Sequence, residues 1–572
     1  MKLTPEIKQK AKFWTSDIFD SKTVSTVNNW MENNPDEIVE SFYKDLDFGT
    51  GGMRGVMSVG TNRINKYTLG MATQGLANYI QKQFPGQSNT KVAIAHDSRN
   101  FSREFSESVA DVLSGNGIEV YLFESLRPTP ELSYAVRKLR CNAGIVLTAS
   151  HNPKEYNGYK VYWSDGGQLV PPHDSGVIQE VRKVQLEDVN FTGNPQLIHS
   201  IGAEIDAPYL SEITQLSLSS AGKKDLKIVF TALHGTSITL LPPALKEMGF
   251  TQVEVLESQA TPDGNFPTVI SPNPEEAEAL KLAVERAEEL HADLVIGTDP
   301  DADRVGIAAR GKDGKMHLLN GNQTASLLVE YVLRKNVEAG TLKGNEFIAE
   351  TVVTTDLLEK IATANKVKTK KCLTGFKWIA QLIGQTEGSE KFLVGGEESY
   401  GYLIGDFVRD KDAISSAIMI AELAAEAKSK GSDLLSELKE IHCTYGHYQE
   451  ALVSMTKKGI SGSQEISQMM ENLRTNPPAR LAGEVVEYVL DYNALTQKQI
   501  TTGVTKPLDF PSTNMIQLVT EGGAKFTARP SGTEPKIKFY ISVNENCSLD
   551  EYSESTRRLQ HKIETIKSEM NI

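Results

Sequence analysis

The run Gly-Ile-Val-Leu-Thr-Ala-Ser-His-Asn-Pro-Lys-Glu-Tyr-Asn-Gly-Tyr-Lys, from Gly144 to Lys160, decides how this chain is read. Ile145 to Leu147 has the apolar content of a core strand, whereas Asn152-Pro153 cannot continue a regular ladder and Asn157-Gly158 signals a further turn. Ser150 and His151 are therefore predicted on a constrained loop at a strand's carboxyl end. A serine in such a turn ordinarily bonds to the local backbone. An activated serine fits as well, but these residues do not separate acyl from phosphoryl transfer, and a G-x-S-x-G elbow is absent.

A second apolar strand runs into charge at Ala-Asp-Leu-Val-Ile-Gly-Thr-Asp-Pro-Asp-Ala-Asp-Arg, Ala292 to Arg304. Three carboxylates, Asp299, Asp301 and Asp303, follow one another at two-residue spacing. Such crowding is unfavourable unless a cation neutralises it, and all-oxygen ligands suit a hard divalent ion such as magnesium. A solvated acidic turn is the alternative. An EF-hand loop does not fit, because Arg304 stands where its glycine belongs and Arg310 where its bidentate glutamate belongs.

Two further junctions carry weaker signals. Lys391 to Tyr402 reads Lys-Phe-Leu-Val-Gly-Gly-Glu-Glu-Ser-Tyr-Gly-Tyr, with Val408-Arg409-Asp410-Lys411-Asp412 close behind. Carboxylate and hydroxyl on one loop can hold vicinal sugar hydroxyls, or can cap a helix. Phe526 to Lys536 reads Phe-Thr-Ala-Arg-Pro-Ser-Gly-Thr-Glu-Pro-Lys, in which an arginine, two hydroxyl residues and a glycine have the makings of a phosphate cradle or of a polar turn.

At 572 residues the chain is predicted to form several domains, since single cores stop growing at about 250 to 300 residues. A hydrophobic content of 39% and a charged content of 23% are ordinary for a globular enzyme, and the net charge of −14 argues against a nucleic-acid or anionic-membrane binder. Cys141, Cys372, Cys443 and Cys547 lie far apart in sequence with no C-x-x-C pair, which points to neither zinc nor a disulfide framework and fits a reducing cytoplasm. A charged amino terminus without an apolar h-region, and no stretch of membrane-spanning length, agree with a cytoplasmic location.

Apolar runs at 92–95, 120–123, 227–230 and 294–296 alternate with helical stretches at 103–114, 275–289 and 413–428. Strands buried on both faces read this way, predicting α/β layers with parallel or mixed sheets. In such sheets ligands bind beyond the strand carboxyl ends, where the first three junctions fall. Polar, turn-rich stretches near 194–205 and 445–454 mark candidate boundaries.

Thr-Ala-Ser-His-Asn-Pro closely resembles the phosphoserine loop of the α-D-phosphohexomutases, the superfamily of phosphoglucomutases and phosphomannomutases. Asp-Pro-Asp-Ala-Asp-Arg matches that family's metal loop, Gly-Glu-Glu-Ser its sugar-recognition loop and Arg-Pro-Ser-Gly-Thr-Glu-Pro-Lys its phosphate-binding loop, all in family order. The resemblance implies that Ser150 carries a phosphoryl group and completes a magnesium site with Asp299, Asp301 and Asp303. It implies that Glu397 and Ser399 grip the sugar, and that Arg529, Ser531, Gly532 and Thr533 hold a phosphate. Phe48 to Gly55 is similar to the loop whose arginine, here Arg54, reaches the active phosphate, and Thr374-Gly375-Phe376-Lys377 to the sugar-selecting turn. Ala95 to Arg99, Leu233 to Thr236 and Pro272 to Glu275 also resemble family segments and are assigned to packing and loop geometry.

The resemblance further implies three similarly built α/β domains with mixed sheets and a smaller carboxyl-terminal α+β domain, the active site lying in the central cleft. The expected division is 1–205, 206–320, 321–450 and 451–572. The activity implied is interconversion of glucose 1-phosphate and glucose 6-phosphate through glucose 1,6-bisphosphate, with Lys160 as the first candidate for general base and His151 and Lys411 behind it. The Gly-Glu-Glu-Ser wording favours glucose over mannose; phosphomannomutase, phosphopentomutase and metal-dependent sugar phosphatase activities are the alternatives. Oligomeric state is not legible.

Overall fold

The apolar runs become central strands because helices cover both faces of each sheet, leaving no polar side for alternation to mark. In a computed structural model describing residues 3–49, 51–87, 89–457, 459–531 and 536–572, they lie in Lys91–His96, Glu119–Phe123, Lys227–Thr231 and Leu294–Thr298. The helical stretches are helices Ser102–Gly115, Ala277–Leu290 and Ala413–Ser429. The chain forms two compact units, one comprising Met1–Asn320, Phe376–Phe392 and Ser399–Gly431, the other Gly321–Gly375, Leu393–Glu398 and Ser432–Ile572.

The first unit holds two mixed sheets of one design. In the first, Ile198–Ile201, Glu119–Phe123, Lys91–His96 and Ala143–Leu147 run parallel, and Tyr156–Trp163 and Gly52–Val56 follow antiparallel. In the second, Gln252–Val255, Lys227–Thr231 and Leu294–Thr298 run parallel, then Val305–Arg310 and Met316–Leu319 antiparallel. The Ser150 loop and the aspartate loop therefore occupy equivalent places, each joining the last parallel strand to its antiparallel neighbour. Both strands that lead into the loops are buried throughout, which fixes the loop roots on a rigid core.

Three amino-terminal helices, Pro5–Phe13, Ser21–Asn33 and Pro35–Phe42, form a separate apolar cluster in which Trp14 stacks on Phe19 and meets Phe42 and Tyr67 edge-on. Thr4 and Asp20 cap the first two helices by accepting from the amides of Ile7 and Thr23.

In the second unit, Glu346–Thr351 pairs parallel with Lys368–Cys372 and borders strand Lys391–Gly396, whose residues from Leu393 on belong to this unit and lead to Glu397. The last sheet is antiparallel, ordered His447–Thr456, Lys536–Glu545, Lys525–Pro530, Ile516–Thr520, Glu484–Asp491, Thr496–Gln499 and Thr505–Pro507, with Arg480–Leu481 paired to Glu484–Asp491. Helices Gly459–Thr475 and Tyr552–Glu569 bury Met470, Leu473, Leu559 and Ile566 against Phe526, Phe539 and Ile541. This is the expected α+β layer. The stretch 445–454, read as turn-rich, ends one helix at Tyr445 and starts a ten-residue strand, along which burial alternates from Ala451 onward.

Candidate active site

Ser150 sits three residues past strand Ala143–Leu147 with φ of 51°, a left-handed conformation that a non-glycine residue holds only where its surroundings impose it. Its amide donates to Thr148 Oγ1 at 2.9 Å. Arg99 imposes the rest. Its buried guanidinium donates to the carbonyls of Ser150 (2.6 Å), Pro153 (2.9 Å) and Tyr156 (3.0 Å) and to that of Asn152, while facing Asp97 at 3.3 Å. One planar fork thus gathers four carbonyls of the serine loop. Sequence reading gave the Ala95–Arg99 segment a role in loop geometry, and the Asp-Ser-Arg wording was its signal; the target of the arginine was not visible.

Ser150 Oγ donates to Asp299 Oδ2 at 2.8 Å and lies 3.1 Å from His151 Nδ1. Antiparallel pairing of Val146 with Lys160 brings that lysine alongside, where its Nζ reaches Asp301 Oδ2 (2.7 Å) and Asp303 Oδ2 (3.2 Å). Lys411 Nζ is also 3.2 Å from Asp303 Oδ2. Gly401 makes room for it, since a β-carbon there would collide with the Lys411 side chain. Arg54 is exposed on strand Gly52–Val56 and donates to Asn152 Oδ1 at 3.2 Å. Gly52, with φ of 129°, lets that strand pass closely over the Tyr159 carbonyl.

The three aspartates offer ligand oxygens within 4.8 Å of one another. Asp301 Oδ1 and Asp303 Oδ1 are buried without a hydrogen-bond partner, and Asp299 Oδ1 is tied to the amides of Asp303 and Arg304, at 3.0 Å each. Buried acceptor oxygens left over on a carboxylate cluster fit a hard cation. Burial, and then the charges of Asp301 and Asp303, push Asp299 well above the ordinary carboxylate range. Burial also opposes ionisation of Asp303, but Lys160, Lys411 and Arg304 outweigh it and hold the group low. Burial weighs against the Lys160 ammonium, yet Asp301 and Asp303 raise its pKa, and burial with Arg304 and Arg54 pushes His151 well below the usual histidine value. Lys160 is thus an ammonium and His151 a neutral ring.

Sequence reading missed two supports. Thr129, at the start of helix Thr129–Lys138, donates through Oγ1 to Asp301 Oδ2 (3.1 Å) and through its amide to the Asp301 carbonyl (2.8 Å). Asp410 accepts from the Lys411 amide (2.8 Å), from Tyr162 Oη (2.6 Å) and from Gln168 Nε2 (2.9 Å), fixing the backbone from which Lys411 projects. The signal that could have found Thr129 is the Thr-Pro-Glu wording, which suits a helix start and which sequence reading did not single out. Tyr162 is one more aromatic on a buried strand, with nothing in its neighbours to show a partner 248 residues away.

In the second unit, Gly375, at φ of 115°, donates its amide to Glu397 Oε1 at 2.8 Å, joining the Thr374-Gly375 turn to the Gly-Glu-Glu loop. Arg529 stands on strand Lys525–Pro530 opposite Lys538. Its charge also acts on Tyr540, whose phenol burial and the charge of Glu398 raise against the opposing charge of Arg529, with Glu397 adding to the rise. The Glu397 loop and Arg529 therefore act on one tyrosine. Ser531 is exposed, with its amide on the Lys536 carbonyl at 2.7 Å; Gly532 and Thr533 lie outside the described residues. Ser399 falls in the first unit, where the neighbouring Tyr400 carbonyl accepts from the Val305 amide at 3.0 Å, just past the aspartate loop.

No helix among the described residues is long and apolar enough to cross a membrane. Three family models match the chain: the alpha/beta/alpha domains I, II and III of phosphoglucomutase/phosphomannomutase, over residues 45–188, 207–312 and 320–441. A phosphoglucomutase of Staphylococcus haemolyticus (strain JCSC1435) is 37% identical over 92% of this chain and 98% of its own length. A phosphoglucomutase of Staphylococcus aureus (strain MRSA252) is 39% identical over 91% and 93%. Among solved structures, a phosphoglucomutase/phosphomannomutase family protein from Burkholderia thailandensis superposes with a TM-score of 0.64 at 20% identity, covering 90% of this chain and 96% of that one. Parafusin, a phosphoglucomutase from Paramecium, gives 0.68 at 17% identity, covering 92% and 96%, so both share the fold. With the serine loop, the aspartate loop and three matched domains in one order, the chain belongs to the phosphoglucomutase/phosphomannomutase family of phosphosugar mutases, on its phosphoglucomutase branch.

Proposed function

We propose that the chain interconverts glucose 1-phosphate and glucose 6-phosphate by way of a phosphoryl group on Ser150 and a glucose 1,6-bisphosphate intermediate. The observation that carries this reading is the contact of Ser150 Oγ with Asp299 in a buried carboxylate cluster that has acceptor oxygens to spare. Magnesium held by Asp299, Asp301, Asp303 and Ser150 would neutralise charge on the transferring phosphoryl oxygens. Arg54, exposed beside Asn152, is placed to bind that phosphoryl group. Arg99 holds the serine loop in the conformation that presents Oγ, which is the positioning that phosphoryl transfer depends on.

A proton must leave the attacking sugar hydroxyl. Lys160 accepts it only when another cation neutralises Asp301 and Asp303; His151 and Lys411 are the other candidates, and pH profiles of Lys160→Met, His151→Asn and Lys411→Met separate the three. Glu397 and Ser399, with Thr374 and Gly375 behind them, are assigned to the sugar, and Arg529, Ser531, Gly532 and Thr533 to the phosphate that does not transfer. The same reading keeps the fourfold division at 205, 320 and 450 and a cytoplasmic location.

The test is a coupled assay on glucose, mannose, glucosamine and ribose 1-phosphates with catalytic glucose 1,6-bisphosphate. Fastest turnover on glucose 1-phosphate supports the reading. Preference for mannose or ribose reassigns the substrate, and release of free phosphate in place of isomerised sugar phosphate makes the protein a phosphatase.

A further inference from the structure

The four cysteines are far apart in sequence, yet two of them meet. Cys443 Sγ and Cys547 Sγ are 3.9 Å apart although 104 positions separate them. Cys443 is in the last turn of helix Leu434–Tyr445, and Cys547 is on the short connection between strand Lys536–Glu545 and helix Tyr552–Glu569. Both are partly exposed, whereas Cys141 and Cys372 are buried, and burial raises those two thiols, that of Cys141 to about 12.

The surroundings of the pair are fixed by stacked rings. His447 lies 4.5 Å from Tyr552 at an interplanar angle of 13°, and His442 lies 4.7 Å from His447 at 26°. His442 Nδ1 bonds Tyr552 Oη at 3.0 Å and His447 Nδ1 bonds Ser555 Oγ at 2.7 Å, which clasp the helix end to the start of the last helix, and Cys547 Sγ lies 3.8 Å from the same His447 Nδ1. A disulfide needs its sulfurs at about 2 Å. Asn546, Ser548, Leu549 and Asp550 are exposed, so the Cys547 connection can supply the movement without disturbing the sheet.

We propose that Cys443 and Cys547 are a dithiol site that closes to a reversible intramolecular disulfide by exchange with a small-molecule disulfide. The Cys547 thiolate attacks one sulfur of the reagent, breaking its S–S bond and expelling one thiolate. Cys443, as thiolate, then attacks Cys547 Sγ and expels the second. The pair loses two electrons, the reagent gains them, and the two protein thiol protons pass to the two released thiolates. Cys547, on the exposed connection with its Sγ 3.8 Å from His447 Nδ1, is the first attacking sulfur, and Cys443, whose thiol burial and then the neighbouring Cys547 raise to about 11, is the resolving one. The closed bond encloses every strand of the last sheet, including the one that bears Arg529.

The test equilibrates the full chain in glutathione buffers of graded poise, quenches with acid, alkylates and measures intact mass. The expected result is loss of two of the four alkylatable thiols and of two hydrogens in mass, with no glutathione retained. Peptides containing Cys443 and Cys547 should be joined, dithiothreitol should reverse the change, and the oxidised form should unfold at higher temperature than the reduced one. Cys443→Ser should instead trap a glutathione adduct on Cys547. Four thiols still alkylatable in fully oxidised glutathione, or a wild-type protein that keeps a stable glutathione adduct, would overturn the proposal.

Discussion

Arg99 donates to the carbonyl of Ser150 at 2.6 Å, and the same guanidinium holds three more carbonyls of the loop, so the left-handed backbone of Ser150 rests on a residue that need never touch substrate. Arg99→Lys keeps a cation near Asp97 but loses the planar fork. A displacement of the serine by an ångström costs on the order of 100-fold in turnover, so kcat should fall by about that factor with KM nearly unchanged. Arg99→Ala should also lower stability by about 3 to 5 kcal/mol, because it leaves Asp97 buried and unpaired. Steady-state kinetics and urea melts on the two variants check both parts; an Arg99→Lys enzyme of wild-type kcat would remove the positioning role.

Ser150→Ala removes the proposed acceptor of the phosphoryl group while changing little packing around a residue that is 2% exposed. Turnover should drop by about a thousandfold or more, as when an essential nucleophile is deleted elsewhere. Incubation with bisphosphate labelled in its phosphates should mark the wild-type chain and leave the variant unmarked. Label on the variant would place the acceptor at another residue.

Asp301→Asn keeps the shape that Thr129 and the loop backbone require but removes a negative charge from the proposed magnesium site. Magnesium at about 100 times its dissociation constant should stabilise the wild-type protein by about 2.7 kcal/mol. Most of that increment should vanish in the variant, together with the magnesium dependence of the rate. A melting curve that still rises with magnesium as in wild type would detach Asp301 from the metal.

Glu350 is the buried member of a partly exposed charge cluster, with the Lys371 ammonium 3.2 Å away and Asp356 and Glu359 on the same lysine at 2.8 and 2.9 Å. Burial is the dominant cause that raises the Glu350 carboxyl to about 8 against an unfolded value near 4.5. The folded state thus binds a proton that the unfolded state has lost, so stability should fall as pH rises from about 4.5 to 8 and level off above. Lys371 is held above its usual value and does not titrate there; Glu450, raised by burial to about 7, adds to the same slope. Glu350→Gln should flatten the decline between pH 5.5 and 8.5 in chemical denaturation by a few kcal/mol at most. Parallel pH profiles of variant and wild type would assign the slope to other groups.

Much of the first site was legible because its parts are consecutive. Thr148 to Lys160 and Asp299 to Arg304 each follow a short apolar run, and a run buried on both faces announces the strand that presents the loop. Lys160 could be foreseen from the family resemblance, but its contact with Asp301 depends on the register of Tyr156–Trp163 against Ala143–Leu147, which no local signal sets. Arg99, Thr129 and Asp410 act across 51, 172 and 248 positions, so the contacts that shape the site lie outside their own neighbourhood of sequence. The amino-terminal helices, which sequence reading did not single out, are capped by Thr4 and Asp20, and their aromatic packing onto Tyr67 is a tertiary choice.

Arg529 tests whether the last sheet takes part in catalysis. It stands on strand Lys525–Pro530, and its charge acts on Tyr540, the tyrosine that also feels the charges of Glu397 and Glu398. If it grips the phosphate that is not being transferred, Arg529→Ala removes a charge-assisted contact of about 1.5 to 3 kcal/mol, a loss of about 10- to 150-fold in substrate affinity. The same grip must hold the bisphosphate while it exchanges one phosphate for the other at Ser150. Its loss should therefore let the intermediate escape and make activity depend more steeply on added glucose 1,6-bisphosphate. Arg529→Lys should restore part of the affinity, since a point charge persists, but not the bidentate geometry. Kinetics with and without the bisphosphate decide between the roles: a raised KM with a raised bisphosphate requirement assigns Arg529 to the phosphate. An unchanged KM and an unchanged requirement would leave it a charge that acts on Tyr540 without a part in catalysis.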